Sequence, residues 1–373
     1  MIEATRTDIT ALLRPHLRAL PGYIPGASPA GSADAIRLDW NESPFPPSPK
    51  AQVALAEFAT GNRYPDILQT ALREALGTYL GAPPKRIMAG AGLDDVLNTL
   101  AMLVIEPGDD VVISDPTFGV YRSLFSHLGA TVINVPLLAG PEFELDDDGI
   151  LDAIGPRTKL VIICNPNNPT GTLFPRGKVE RIVEGATCLV AIDEAYAEFS
   201  DTAHLDLAET HEHVVVLRTM SKFAGLAGFR VGYGVFPDAL MPWLWQVAPP
   251  FLNISAVAVA VALASLDDLP ALESNVAAIV RWREELAQNL ARIDGVTVYP
   301  SATNFLLARL PVSDAAPVVA ALASKNVFVR HFANPALGLR DCLRVSVGTP
   351  EENAIFLEGL RGVLGTMISE KAR

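Results

Sequence analysis

Between about Leu38 and Leu266, short apolar runs alternate with helix-length segments, and this alternation limits the possible folds more than any other feature. The runs are Arg86–Ala89, Asp110–Ser114, Thr131–Val135, Leu160–Cys164, Cys188–Ile192, Val214–Thr219 and Val231–Val235. Several are unbroken β-branched stretches, as expected for strands covered on both faces. Strands spaced by helices predict an α/β fold with a mainly parallel sheet wrapped by helices. After Leu266 the pattern changes. Leu272, Val276, Ile279, Trp282, Leu286 and Leu290 recur at spacings of three and four, which makes one amphipathic helix. Strand candidates Phe305–Leu310, Val327–His331 and Leu343–Val347 follow, with helices between them. The chain thus divides into an N-terminal arm over 1–35, a large domain over 36–266 and a smaller α+β domain over 267–373.

Composition removes several function classes. Half of the 373 residues are hydrophobic and 19% are charged, enough to bury a large core and exclude disorder as the dominant state. The net charge of −13 argues against nucleic acid or an anionic membrane surface as partner. Cys164, Cys188 and Cys342 form no CxxC pair and fit a reducing cytoplasm. Residues 1–20 carry Glu3 and Asp8 with scattered arginines, so no apolar signal core is read there. The uncharged stretch Gln246–Leu266 is long enough to span a membrane. It holds Pro249, Pro250 and Asn253 and is rich in alanine, so it reads as a loop feeding a buried helix. Asp146-Asp147-Asp148-Gly149 reads as a solvated turn. A soluble, cytoplasmic protein is expected.

In an open parallel sheet, ligands bind at the carboxyl ends of the strands. After Arg86–Ala89 stand Gly90-Ala91-Gly92-Leu93-Asp94-Asp95 and a helical pattern, a place where backbone N–H groups approach a phosphate. No P-loop and no third glycine of a dinucleotide fingerprint accompany it. After Leu160–Cys164 comes Asn165-Pro166-Asn167-Asn168-Pro169-Thr170-Gly171, after Cys188–Ile192 comes Asp193-Glu194-Ala195-Tyr196, and after Val214–Thr219 comes Met220-Ser221-Lys222 with Arg230 beyond. A lone lysine there is usually a solvated charge. An acid at a buried strand end, however, needs a cationic partner. Pyridoxal phosphate needs the whole set: a lysine amine for a Schiff base, a carboxylate for its pyridine nitrogen, donors for its ring oxygen and a phosphate cup. His211-Glu212-His213 is at most half a metal site with no further ligand cluster, so no metal is expected.

These motifs, with Gly228-Phe229-Arg230-Val231-Gly232-Tyr233, resemble the class I/II pyridoxal-phosphate-dependent aminotransferases. Tyr23-Ile24-Pro25-Gly26, Asn41-Glu42-Ser43-Pro44, Asn62-Arg63-Tyr64-Pro65, Pro116-Thr117-Phe118-Gly119 and Leu343-Arg344-Val345-Ser346-Val347-Gly348-Thr349 resemble the histidinol-phosphate aminotransferase branch. The resemblance runs from about Tyr23 to Thr349 and implies the aspartate aminotransferase-like fold. It implies that Lys222 bonds to the cofactor and moves the substrate proton, and that Asp193 pairs with the pyridinium nitrogen. Tyr196 and Asn165 would reach the ring oxygen, and Phe118 would stack on the ring. Ser221, Arg230 and the amides of Leu93 and Asp94 would hold the cofactor phosphate, with Tyr64 arriving from the second subunit of a homodimer. Tyr23, Arg330 and Arg344 would bind substrate.

Ser43, Phe45 and Pro46 depart from the branch pattern near the expected substrate entrance. The implied reaction is transfer from histidinol phosphate to 2-oxoglutarate. An aromatic amino acid aminotransferase and a threonine-phosphate decarboxylase keep the cofactor and change the substrate. A non-catalytic pyridoxal-phosphate sensor is a third class, disfavoured by the acidic charge and the short segment ahead of the core motifs.

Overall fold

A computed structural model describes residues 12–20, 35–138, 140, 142–247 and 254–371 of the chain. Its strands are β1 (Ile36–Arg37), β2 (Ile87–Ala91), β3 (Asp110–Ile113), β4 (Thr131–Asn134), β5 (Thr158–Cys164), β6 (Leu189–Asp193), β7 (Val214–Thr219), β8 (Val231–Val235), β9 (Thr297–Val298), β10 (Phe305–Arg309), β11 (Val327–Phe328), β12 (Arg330–His331) and β13 (Cys342–Ser346). The large sheet has the order β2-β8-β7-β6-β5-β3-β4. Its strands β3 to β7 are mutually parallel, as the spacing predicts.

Strand β8 departs from that expectation, running antiparallel to both β7 and β2. Two reversals restore β2 to the direction of β7. The carboxyl ends of β2 and β3 to β7 therefore share one edge with the start of β8, and Arg230 arrives at that edge from the opposite chain direction.

Apolar side chains fill both faces of this sheet. On one, Val190, Ile192, Val214 and Val216 pack against Val179 and Ile182 of the helix Arg176–Gly185 and against Val261 of the helix Ala256–Leu266. On the other, Val111, Leu160, Ala191 and Leu217 meet Val96 and Leu100 of the helix Leu93–Val104 and Tyr121 and Phe125 of the helix Val120–His127. The alanine-rich end of the uncharged stretch is thus a core helix, capped by Ser255, whose side chain accepts from the Ala258 N–H. Among the described residues no helix is long and apolar enough to cross a membrane. The Asp146–Gly149 segment is no mere turn: Asp146 caps a helix Asp147–Asp152 by accepting the Gly149 N–H at 2.9 Å.

The predicted amphipathic helix runs from Leu269 to Ala291. Its Leu272 and Ile279 join the large core, while Leu286 and Leu290 join the smaller one. The second sheet, β12-β13-β10-β9, is antiparallel throughout. The predicted strand Val327–His331 divides at buried Val329. Its first half pairs with β1 and its second with β13.

Candidate active site

Asp193 ends β6 with its side chain buried, and each oxygen has a donor. Oδ1 accepts the Ala195 N–H at 3.0 Å and Oδ2 accepts the Tyr121 hydroxyl at 2.5 Å. Among the described residues no cationic side chain pairs with it. Burial pushes its pKa up to about 6, against the pull of those two hydrogen bonds. Its neighbour Glu194 does have the cation that the sequence calls for. The Arg218 guanidinium grips Oε2 at 2.9 and 2.7 Å, and the His204 backbone N–H and Nδ1 meet Oε1 at 2.6 and 2.9 Å.

Lys222 follows β7 in the one-turn helix Met220–Phe223. Its Nζ donates to the Trp40 carbonyl at 3.1 Å. Burial, with the Arg344 charge second, lowers its pKa to about 8. An amine held there is largely neutral in mild alkali, as a nucleophile or base must be.

The Tyr196 hydroxyl accepts from Asn41 Nδ2 at 2.9 Å and Asn168 Nδ2 at 3.4 Å. With both lone pairs engaged, its own proton remains for a further acceptor. The asparagines that meet the Tyr196 hydroxyl are thus Asn41 and Asn168. Asn165 turns its Oδ1 to the Phe174 N–H at 2.7 Å, and its buried Nδ2 has no partner among the described residues. Asn168 also accepts from Arg344 Nη1 at 2.6 Å, linking Tyr196 to that arginine. A second link of the same loop fixes Phe118. Asn167 donates to the Pro116 carbonyl at 2.9 Å and accepts from the Thr117 hydroxyl at 3.0 Å. Phe118 then packs edge-on against Tyr121, with ring centroids 5.5 Å apart.

An anion cradle forms where β2 meets β8. The N–H groups of Leu93 and Asp94 open the first turn of the helix Leu93–Val104. Ser221 is buried, its N–H on Thr219 Oγ1 at 3.1 Å. Arg230, held at φ +54°, reaches Asp94 Oδ2 at 3.2 Å. Close approach demands glycine twice: a Cβ on Gly92 would stand 2.3 Å from Arg230 Nη2, and one on Gly232 2.1 Å from the Leu93 nitrogen.

Arg344 lies across from Arg330 in the β12–β13 register. Besides Asn168, it donates to the Asp39 carbonyl at 2.7 Å, and its buried Nε has no partner among the described residues. Burial lowers its pKa to about 10, and the Arg330 charge adds to that fall. Among the described residues no carboxylate pairs with Arg330. Phe45 turns away into the body of the protein, stacked on Trp282 at 5.2 Å. Tyr64 is 81% exposed on the segment between the helices Pro49–Ala56 and Thr70–Leu80. Tyr23 lies outside the described residues. His213 meets the Val183 carbonyl at 2.9 Å, and among the described residues no group of His, Cys, Asp or Glu is arranged to hold a metal ion.

Sequence reasoning missed Tyr121, Arg218 and His204 and took Asn41 only as part of a motif; Tyr121 and Arg218 meet their partners 72 and 24 positions away in the chain. The groups of this site match the chemistry of a pyridoxal phosphate ring. There is a buried carboxylate without a cation, a spare hydroxyl proton on Tyr196, a buried amine and an anion cradle.

Residues 33–360 match the model of the aminotransferase class I and II family. The chain is 42% identical over 373 aligned residues to the histidinol-phosphate aminotransferase of Roseiflexus castenholzii, covering 95% of this chain and 99% of that protein. It is 37% identical to that of Methanosarcina mazei, over 92% of this chain and 94% of the other. Among solved structures it resembles the histidinol-phosphate aminotransferase of Sinorhizobium meliloti in complex with pyridoxal-5'-phosphate. The TM-score is 0.86 and the identity 28%, over 95% of this chain and 98% of that one. With these matches and a strand-end site carrying lysine, aspartate, tyrosine and two opposed arginines, the chain belongs to the aminotransferase class I and II family.

Proposed function

We propose that this aminotransferase uses pyridoxal 5'-phosphate to move the amino group of histidinol phosphate to 2-oxoglutarate, yielding imidazole acetol phosphate and glutamate. The names of the similar proteins support the substrate. The structural observation that carries it is the opposition of Arg330 and Arg344 on neighbouring strands. Histidinol phosphate has no α-carboxylate; its phosphate ester takes the end where an amino acid's carboxylate would sit. A carboxylate needs one planar fork, whereas a phosphate carries nearly one more charge and a third oxygen, which favours a second guanidinium.

The bound cofactor supplies an electron sink that makes the donor's α-hydrogen acidic. Lys222 Nζ takes that proton and returns it on the other side of the transfer. Asp193 holds the proton on the ring nitrogen. Tyr196 and Asn168 donate to the ring oxygen, with Asn165 Nδ2 as a further donor, and Phe118 covers the ring face. Ser221, Arg230 and the Leu93 and Asp94 amides hold the cofactor phosphate. Tyr64 completes it from the second subunit of a homodimer, a role supported by its exposure. Tyr23, outside the described residues, is read as a further substrate-binding residue. Action in the cytoplasm belongs to the same reading, supported by three free thiols, Cys164, Cys188 and Cys342.

The test is kcat/KM for wild type and Arg330→Ala with histidinol phosphate and with phenylalanine. A hydrogen bond to a charged group contributes about 1.5–3 kcal/mol, so the phosphorylated donor should lose roughly ten- to a hundredfold and phenylalanine much less. If phenylalanine is the better donor for wild type, or both donors lose equally, the phosphate reading gives way to an aromatic amino acid aminotransferase.

A further inference from the structure

We propose that Tyr121 is a positioning residue whose hydroxyl holds the Asp193 carboxylate ionised and aimed at the cofactor's ring nitrogen. The proposal rests on the pyridoxal phosphate reading above. Among the described residues Asp193 has two donors, the Ala195 N–H on Oδ1 and the Tyr121 hydroxyl on Oδ2. Only the second comes from outside its own turn, from a helix 72 positions away in the chain. It therefore fixes the carboxylate against rotation about the end of β6.

Tyr121 is fully buried, and its ring is braced edge-on by Phe118. Burial drives its phenol well above the ordinary range, so it stays protonated and acts as a donor toward the carboxylate. The nearby Cys164 thiol is pushed up to about 12 by burial and brings no charge of its own. A donor that keeps its proton favours the ionised acid. Each carboxylate oxygen retains acceptor capacity, which a pyridinium N–H can take.

The experiment compares the affinity of each chain for pyridoxal phosphate and for its carbocyclic analogue, in which C–H replaces the ring nitrogen. The readout is the ratio of the two dissociation constants within one preparation, so a partly unfolded variant does not distort it. Wild type should prefer the nitrogen-bearing ring. Tyr121→Phe, which removes one oxygen and keeps the aromatic brace, should lose about ten- to a hundredfold of that preference and leave the analogue's affinity unchanged. Tyr121→His, which keeps an N–H donor, should recover part of it. A Phe variant that weakens both ligands equally, or keeps the full preference, overturns the role of Tyr121. A wild type with no preference overturns the Asp193 reading beneath it as well.

Discussion

Glu194→Ala should be among the most destabilising single changes in this chain. The Glu194 and His204 side chains are fully buried, and that of Arg218 is 8% exposed. Truncating Glu194 deprives Arg218 of two hydrogen bonds and, among the described residues, leaves it Glu198 at 3.7 Å as its ion-pair partner. It also orphans the buried His204 N–H, now 2.6 Å from Glu194 Oε1. Breaking a buried pair by removing one partner costs about 3–5 kcal/mol, against a total stability of about 5–15 kcal/mol. Replacing both partners is different, because no guanidinium is left stranded, although Glu198 then loses Arg218 and the His204 N–H stays without its acceptor. Glu194→Leu with Arg218→Met should recover part of the loss. The pH dependence is a second signature. Burial alone would raise the Glu194 pKa, but the His204 hydrogen bond and Arg218 outweigh it and hold it below its ordinary 4.5. A depressed acid contributes stability that is present above its unfolded-state value and lost as pH falls through the folded one. The difference between wild type and Glu194→Ala should therefore be full near neutrality and shrink as pH drops below about 4.5. Urea unfolding at a series of pH values measures it. A loss under about 1 kcal/mol, or a difference that stays constant into acid, would refute the reasoning.

Two further outcomes are expected. Lys222 should be the residue trapped when the protein is treated with pyridoxal phosphate and borohydride. Its trapping rate should rise with a midpoint near pH 8, where its lowered pKa lies; a midpoint near 10.5, or a label on another lysine by peptide mapping, counts against a buried reactive amine. For the shared dimer, Tyr64→Ala and Lys222→Ala chains, each poorly active alone, should regain activity when mixed, because a heterodimer holds one site with both residues. Subunit exchange proven by mass spectrometry without any gain would place Tyr64 in its own subunit's structure.

The large sheet was legible because its strands are apolar runs bounded by polar turns; Val214–Thr219 and Val231–Val235 match β7 and β8 residue for residue. Strand direction was not legible, since an apolar run reads the same both ways. A signal was nevertheless present. The link from β7 to β8 covers only residues 220–230, and a parallel return needs a dozen or more. The site is affected directly, because only an antiparallel β8 begins at the edge where β7 ends, bringing Arg230 beside Ser221.

The two asparagines show where sequence reasoning about the site stops. Asn165 follows the last residue of β5, whose Cys164 pairs in register with Asp193, and the resemblance implies that Asn165 reaches the ring oxygen together with Tyr196. A motif locates a backbone position but not the direction of its side chain. In the structure, the Phe174 N–H claims the Asn165 carbonyl oxygen, and the loop carries Asn168 back toward β13. There Arg344 needs an acceptor, since burying its guanidinium charge is costly. Asn168 satisfies that need with its oxygen and presents its nitrogen to Tyr196. Choosing between the two asparagines thus requires knowing that β13, nearly 180 residues later, lies beside this loop. Local pattern carries no such information. The same holds for Tyr121 and Arg218, whose side chains become interpretable only once the fold sets them against Asp193 and Glu194.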